Sequence, residues 1–127
     1  MRELIKIFEQ DELLIELAKE NFVFTVRFAG KINFLYPSKV IAPIIEEIHD
    51  YLVSHSVKEI QADFLDLKFC NSGGFKNIFT WFRTVSNESK EDIYKVHLIY
   101  SKTIAWQSTT LKPLHKAFPE LIIDSPY

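Results

Sequence analysis

The chain has 127 residues and a mass of 14.9 kDa; 47% of the residues are hydrophobic and 25% are charged. This length and composition predict a single folded domain, residues 1–127, and exclude a disordered chain. The net charge of −2 argues against a nucleic-acid-binding protein, because such proteins carry a basic stripe.

Cysteine and histidine usage points to a reducing compartment without metal chemistry. Cys70 is the single cysteine, which excludes an intrachain disulfide and a multi-cysteine metal site. The four histidines lie on different predicted elements, so no metal site is expected. No GxxxxGK(S/T) or GxGxxG pattern is present, and no cofactor is expected. No segment has the length and apolarity of a membrane-spanning helix, and residues 1–10 do not resemble a signal peptide. We therefore expect a cytoplasmic protein that does not associate with a membrane.

The N-terminal part of the chain has the hydrophobic patterns of strands. Residues 4–8 predict a first strand, and residues 12–19 fit either a second strand or a short helix. Residues 22–28 alternate between apolar and mixed side chains, which is the period of a strand.

A helix and a further strand are predicted next. Residues 38–54 place their apolar side chains on one side of a helix. Pro43 fits only near a first turn, so the regular helix is expected to begin close to Ala42. Residues 59–69 are apolar enough for a strand.

The C-terminal half repeats this alternation. A second helix is expected from Phe75 onward, followed by a strand at residues 94–100. A third helix is expected over residues 111–118 with Pro113 in its first turn, and residues 121–123 fit a last short strand.

Strands that alternate with helices predict an α/β fold, here a mixed sheet of about four to five strands with helices packed mainly on one face. The predicted core consists of Val26, Phe28, Ile44, Ile48, Phe64, Leu67, Phe69, Ile78, Phe79, Phe82, Leu98 and Leu114.

Two short stretches, taken in order, resemble the STAS domain family of anti-sigma-factor antagonists. Residues 29–33 match a motif in which a glycine is followed three positions later by an acidic residue at a strand end. Residues 63–74 match a strand that leads into Asp-Ser-Ser-Gly or Asp-Ser/Thr-x-Gly at the start of a helix. The match runs from about residue 22 to the C-terminus and leaves residues 1–21 as an N-terminal strand region. The chain is also similar to small bacterial STAS-like phosphoproteins that regulate biofilms.

The resemblance implies a phosphorylation site at Ser72, because a partner kinase phosphorylates the serine of this motif. It also implies an anti-sigma-type kinase partner with a histidine-kinase-like ATPase domain, and a PP2C-like phosphatase that reverses the modification. The sequence departs from the family at Asn33 and Asn71, where Asp is frequent, and at Gly73, where Ser or Thr is frequent. These departures remove two negative charges from around Ser72.

The residues themselves leave other interpretations open. Ser72 could serve only as a helix N-cap. Cys70 is expected to be a buried, inert thiol without a neighbouring base. Asp63 and Asp66 are expected to face opposite ways in turn and edge roles rather than form an acid/base pair.

A partner-binding surface is expected on the turn at residues 71–74 and on the outer side of the second helix, because helical spacing turns the phenylalanines of that helix inward. The expected residues are Asn33, Asn71, Gly73, Gly74, Lys76, Asn77, Thr80, Trp81 and Arg83. Lys76 could also reach a phosphate on Ser72.

The favoured function is a non-enzymatic regulatory protein that binds a partner and is switched at Ser72. Two alternatives remain: a constitutive STAS-like interaction scaffold, and a small-ligand-binding or enzymatic α/β domain. The shortage of convergent polar side chains argues against the enzymatic alternative. The oligomeric state stays open, a homodimer included.

Overall fold

The structure is a computed structural model that describes all residues from 1 to 127. Its strands are β1 (Glu3–Gln10), β2 (Leu13–Glu20), β3 (Val23–Ile32), β4 (Glu59–Cys70), β5 (Lys95–Tyr100) and β6 (Ile122–Pro126). Its helices are α1 (Pro37–Ser54), α2 (Ser72–Ser86), α3 (Ala105–Thr110) and α4 (Leu114–Ala117).

The strands form one six-stranded sheet in the order β1-β2-β3-β4-β5-β6. β1, β2 and β3 are antiparallel neighbours, whereas β3, β4, β5 and β6 are parallel and are connected through helices. Right-handed crossovers between successive parallel neighbours place these helices on the same face. The predicted mixed α/β fold is confirmed. The sheet is wider than expected because the ambiguous segment at residues 12–19 and the C-terminal segment both form strands.

The hydrophobic core fills the space between the sheet and the helices. Phe28 of β3 and Phe64 of β4 stack at its centre with ring centroids 4.8 Å apart, and Trp81 of α2 packs beside Phe28. Nine of the predicted core residues are buried: Val26, Phe28, Ile48, Phe64, Leu67, Ile78, Phe82, Leu98 and Leu114. Ile44 and Phe79 are half-buried against this core. The prediction for Phe69 is wrong, because its side chain is 45% exposed.

Three helix boundaries differ from the prediction. α2 begins at Ser72 rather than at Phe75. α1 begins at Pro37, where the missing N–H costs nothing in the first turn, and Pro43 lies inside the helix. The predicted third helix over residues 111–118 is wrong, since the structure has α3 before it and α4 within it. Pro113, which has no N–H to donate, lies in the turn between these two short helices.

The side chain of Gln107 in α3 completes the sheet where a strand is missing. β5 pairs with β4 only from Glu59 to Asp63, so the rest of β4 has no strand on that side. Gln107 Nε2 donates to the carbonyls of Phe64 (2.7 Å) and Leu67 (2.9 Å), and the side chain is fully buried. This anchoring explains why the third helical segment begins earlier than its apolar pattern indicates.

Candidate functional site

The polar residues of the two sequence motifs follow neighbouring strands at the same edge of the sheet. Ile32 of β3 pairs with Cys70 of β4, so Asn33 and Asn71 come directly after paired residues. The Asn71 N–H donates to the Ile32 carbonyl at 3.0 Å. The parallel arrangement thus places the motif that ends at residue 33 beside the turn that begins α2.

The glycine of the first motif is required by backbone geometry. Gly30 has a φ of +94°, a conformation that L side chains rarely adopt. A Cβ at this position would lie 1.8 Å from the carbonyl oxygen of Glu12, which accepts a hydrogen bond from the Lys31 N–H. Gly30 therefore lets the β1–β2 turn dock against the end of β3.

The N-cap of α2 is Asn71, so the interpretation of Ser72 as the N-cap is wrong. Asn71 Oδ1 accepts the Gly74 N–H at 2.8 Å, and Asn71 Nδ2 donates to the Phe34 carbonyl at 3.0 Å. Ser72 is the first residue of the helix; its side chain is exposed and makes no hydrogen bond within the protein. Its hydroxyl is therefore available at the positive end of the helix.

The glycine pair behind Ser72 is explained by close packing. A Cβ on Gly73 would lie 2.9 Å from Cγ of Pro37, and a Cβ on Gly74 would lie 2.4 Å from Cγ2 of Ile32. The two glycines let the first turn of α2 approach both β3 and the start of α1.

The outer face of α2 contains only part of the predicted surface. Lys76, Thr80 and Arg83 are exposed as expected. The expectation that Asn77 and Trp81 lie at the boundary or outside is wrong, since both are buried, at 9% and 2% exposure. The reason is that α2 packs against α1 as well as against the sheet, which widens its buried arc.

Each of the two buried residues ties α2 to its neighbours through hydrogen bonds. Asn77 Nδ2 donates to the Gly73 carbonyl (2.9 Å) and to Ser38 Oγ (3.3 Å) at the start of α1. Trp81 Nε1 donates to the Tyr94 hydroxyl at 2.8 Å, and that hydroxyl is also hydrogen-bonded to His49 Nδ1 of α1 at 2.7 Å. These bonds fix the position of the helix that presents Ser72.

Three exposed apolar residues near the serine turn were missed by the sequence interpretation. Leu35 and Tyr36 are 84% and 64% exposed in the loop between β3 and α1. The Asn71 side chain is hydrogen-bonded to the Phe34 carbonyl of this loop. The third residue, Phe69, lies two residues before Asn71 at the end of β4. Phe69 is exposed because a register shift after Gly30 pairs it with the exposed Lys31. Leu35 and Tyr36 lie between Phe34 and Pro37, so two large apolar residues in a predicted loop were the available signal.

The titratable groups near the turn have structural roles. Burial raises the pKa of the Cys70 thiol to about 12, and its Sγ–H donates to the Asn71 carbonyl at 3.5 Å. Asp63 Oδ1 accepts the Leu65 N–H at 3.0 Å, and Asp66 forms an ion pair with Arg27 at 2.8 Å. The site therefore holds an exposed hydroxyl without an adjacent base.

Two further findings concern metal ions and membranes. No group of three or more His, Cys, Asp or Glu side chains is arranged to hold a metal ion. None of the helices has the length and apolarity needed to span a membrane.

Comparison with known proteins supports the fold but assigns no residue roles. The chain matches no family model and no curated protein. Its structure is similar to the crystal structure of an anti-sigma factor antagonist from Mycobacterium paratuberculosis, with a TM-score of 0.51 and 18% sequence identity. The alignment covers 94% of this chain and 84% of that one. The fold is STAS-like. The resemblance of the two sequence motifs is thereby confirmed at the level of the fold.

Proposed function

We propose that this chain is a non-enzymatic regulatory binding protein whose partner-binding surface surrounds Ser72 and is switched by phosphorylation of that serine. The position of Ser72 carries the proposal. Its hydroxyl is exposed at the first residue of α2, and the neighbouring Asn71 already provides the cap. A serine required only for capping would have its hydroxyl engaged.

A phosphate on Ser72 would be tolerated by the fold. It would add about −1.5 to −2 charges at a helix N-terminus, where N–H groups and the helix dipole favour an anion. The first turn of α2 has no acidic residue, and the exposed Lys76 lies one turn further along the helix. Phosphorylation would therefore change the surface charge without unfolding the domain.

The exposed residues around Ser72 form a surface suited to a protein partner. Leu35 and Tyr36 supply apolar contact area on one side, while Lys76 and Arg83 supply positive charge on the other. Tyr36 and Arg83 are of the residue types that are enriched at interface hot spots. Asn33 and Thr80 complete the surface, whereas the buried Asn77 and Trp81 support it from beneath. A phosphate at the centre of this surface would be desolvated on binding and would break the complex.

The similarity of the fold to an anti-sigma factor antagonist supports the class of partner. We infer a bacterial, cytoplasmic regulator that binds an anti-sigma factor with serine kinase activity. A PP2C-like phosphatase would restore the unmodified state. The surface has no feature that calls for nucleic acid or a membrane.

The arrangement at the turn favours a binding role over catalysis. A serine or cysteine nucleophile needs a base within hydrogen-bond reach. No histidine or carboxylate bonds to Ser72, and burial raises the pKa of the Cys70 thiol to about 12, which keeps it protonated. The exposed serine is therefore better suited to be the substrate of another enzyme.

Intact-mass analysis of the protein purified from its native cells tests the modification. We expect one phosphate that maps to Ser72, is lost in Ser72→Ala, and is retained in the control Ser89→Ala, another exposed serine in a loop. Phosphate found only at other residues would contradict the proposal.

Binding affinity for a partner protein, captured by pull-down from a lysate of the native cells, tests the surface. Ser72→Asp and Tyr36→Ala should each weaken binding by about tenfold or more, because each alters the centre of the interface. The control Ile7→Ala changes a half-exposed residue on the edge strand β1 and should have no effect. A partner that is lost with Tyr36→Ala but unaffected by Ser72→Asp would favour the constitutive scaffold.

A further inference from the structure

The turn between β2 and β3 places a large aromatic side chain where glycine is normally preferred. Asn21 and Phe22 form this two-residue turn with φ values of 50° and 68°. Two-residue hairpin turns with two positive φ angles strongly favour glycine at the second position, since a side chain there is strained. Phe22 is also 88% exposed, so burial within the chain does not compensate the strain. The contact that it makes is with the ammonium group of Lys19, which lies 5.5 Å from the ring centroid.

A hollow lies directly beside this aromatic ring. It has a volume of about 320 Å³ and is lined by Phe22, Val23, Glu59, Ile60, Gln61 and His97. All of these residues belong to the hairpin or to the ends of β3, β4 and β5, and no helix contributes to the lining. Phe22 and Val23 supply apolar surface, Ile60 lies buried beneath them, and the rim carries Glu59, which is hydrogen-bonded to His97. The hollow has room for an aromatic ring that enters from another molecule.

A protruding ring and an adjacent hollow on one surface are the elements of a self-complementary interface. In a two-fold dimer the same patch is used by both subunits, and residue i of one contacts residue j of the other in both directions. The charges fit the same arrangement. Lys19 forms no ion pair in its own chain and its ammonium group contacts the rings of Phe22 and Phe24. Glu59, which pairs with His97, lies on the rim of the hollow that would receive the ring.

We propose that the end of the sheet around Phe22 mediates a symmetric dimer, in which Phe22 of each copy enters the hollow of the other and Lys19 faces Glu59 across the interface. This proposal does not depend on the function proposed for Ser72. β3 runs from Val23 at the hairpin to Ile32 beside the α2 turn, so the two surfaces lie at opposite ends of the strand. The dimer would therefore leave both serine turns open to their partners.

Sedimentation of the purified full chain over a range of concentrations tests the dimer. We expect a concentration-dependent dimer for the wild type and about tenfold or greater weakening in Phe22→Gly, since a central aromatic contact is lost. Because glycine accepts the positive φ without strain, Phe22→Gly should unfold at the same temperature as the wild-type monomer or higher. Loss of association therefore cannot be attributed to misfolding. The control Leu35→Ala changes an equally exposed apolar residue at the other end of the sheet and should leave the dimer unchanged.

A charge exchange tests the pairing across the interface. Lys19→Glu and Glu59→Lys should each weaken the dimer, and the double variant should recover association because the two charges are swapped. A wild type that stays monomeric at the highest soluble concentration overturns the proposal. Loss of some other protein partner in Phe22→Gly would not rescue it, because the proposal concerns self-association. A dimer that survives Phe22→Gly places the interface elsewhere and overturns it as well.

Discussion

At the scale of single residues, Asn71 shows why an amide fits the position before the exposed serine. Its Oδ1 accepts the Gly74 N–H while its Nδ2 donates to the Phe34 carbonyl. An amide can accept and donate at once, whereas a carboxylate can only accept. Aspartate would keep the cap but would place a negative charge beside the Phe34 carbonyl. The departure from the Asp that the STAS resemblance leads one to expect thus has a local structural reason.

Substitutions at residues 71 and 72 test which of the two side chains caps α2. Asn71→Ala should lower the free energy of unfolding by about 1–3 kcal/mol, because it removes the cap and leaves a part-buried carbonyl unpaired. Ser72→Ala should change it by less than about 0.5 kcal/mol, since the hydroxyl has no partner within the protein. Urea denaturation followed by circular dichroism measures both values. Equal destabilisation by the two variants would show that Ser72 shares the capping role.

At the scale of elements, α3 supplies the hydrogen-bond donors that a further strand would otherwise provide to β4. The carbonyls of Phe64 and Leu67 extend beyond the part of β4 that pairs with β5, and Gln107 Nε2 donates to both. Trp106 Nε1 adds a second donor to the Leu67 carbonyl at 3.0 Å. A short helix with two donor side chains therefore closes the sheet at the same end as the serine turn.

Removing the Gln107 amide should show how much α3 contributes to the stability of β4. Gln107→Ala should lower the free energy of unfolding by about 1–3 kcal/mol, because the buried carbonyl of Phe64 is left without a donor. The exposed Gln10 offers a matched control, and Gln10→Ala should change stability by less than about 0.5 kcal/mol. Chemical denaturation of both variants makes the comparison. A Gln107→Ala protein as stable as the control would mean that water replaces the amide without cost.

The same element shows the limit of reading helices from periodicity. Leu111, Leu114 and Phe118 have helical spacing and all pack on or into the core, yet the backbone there is a turn followed by α4. Spacing reports which side chains are buried, not whether the helical hydrogen bonds are continuous. The buried Gln107, which fixes α3, is polar and so gave no apolar signal.

At the scale of the whole molecule, the sequence predicted the mixed α/β fold and the position of the serine turn, but it left residues 12–19 open between strand and helix and predicted one helix where α3 and α4 lie. The parallel pairing of β3 and β4 brings Asn33 and Asn71 to one edge, and the sequence predicted this only through the topology that the STAS resemblance implies. The packing of α2 against α1 does not follow from it, so the burial of Trp81 was missed. The register shift between β3 and β4 that exposes Phe69 could likewise not be predicted from the sequence, because it depends on pairing between segments far apart in the chain.

The stability of the whole molecule should fall at alkaline pH because buried acids keep their protons in the folded state. Burial raises the pKa of Cys70 from 9.0 to about 12, and burial also raises the pKa of Tyr94. In the unfolded chain these groups release their protons at their ordinary pKa values. At alkaline pH the unfolded state therefore binds fewer protons than the folded state. The stabilisation from the Cys70 thiol is therefore complete below about pH 9 and is lost as the pH rises toward 12.

A comparison of the wild type with Cys70→Ala isolates the thiol. From about pH 9 upward, the wild type should lose stability faster than the variant by about 1.4 kcal/mol per pH unit, the value for one proton. The difference in free energy of unfolding between the two proteins should thus be constant from pH 6 to 8 and shrink steadily above it. Denaturation in urea with a reducing agent, repeated at each pH, measures this difference. A difference that stays constant to about pH 11 would mean that the thiol titrates alike in both states and that its burial beneath the serine turn is relieved by local opening.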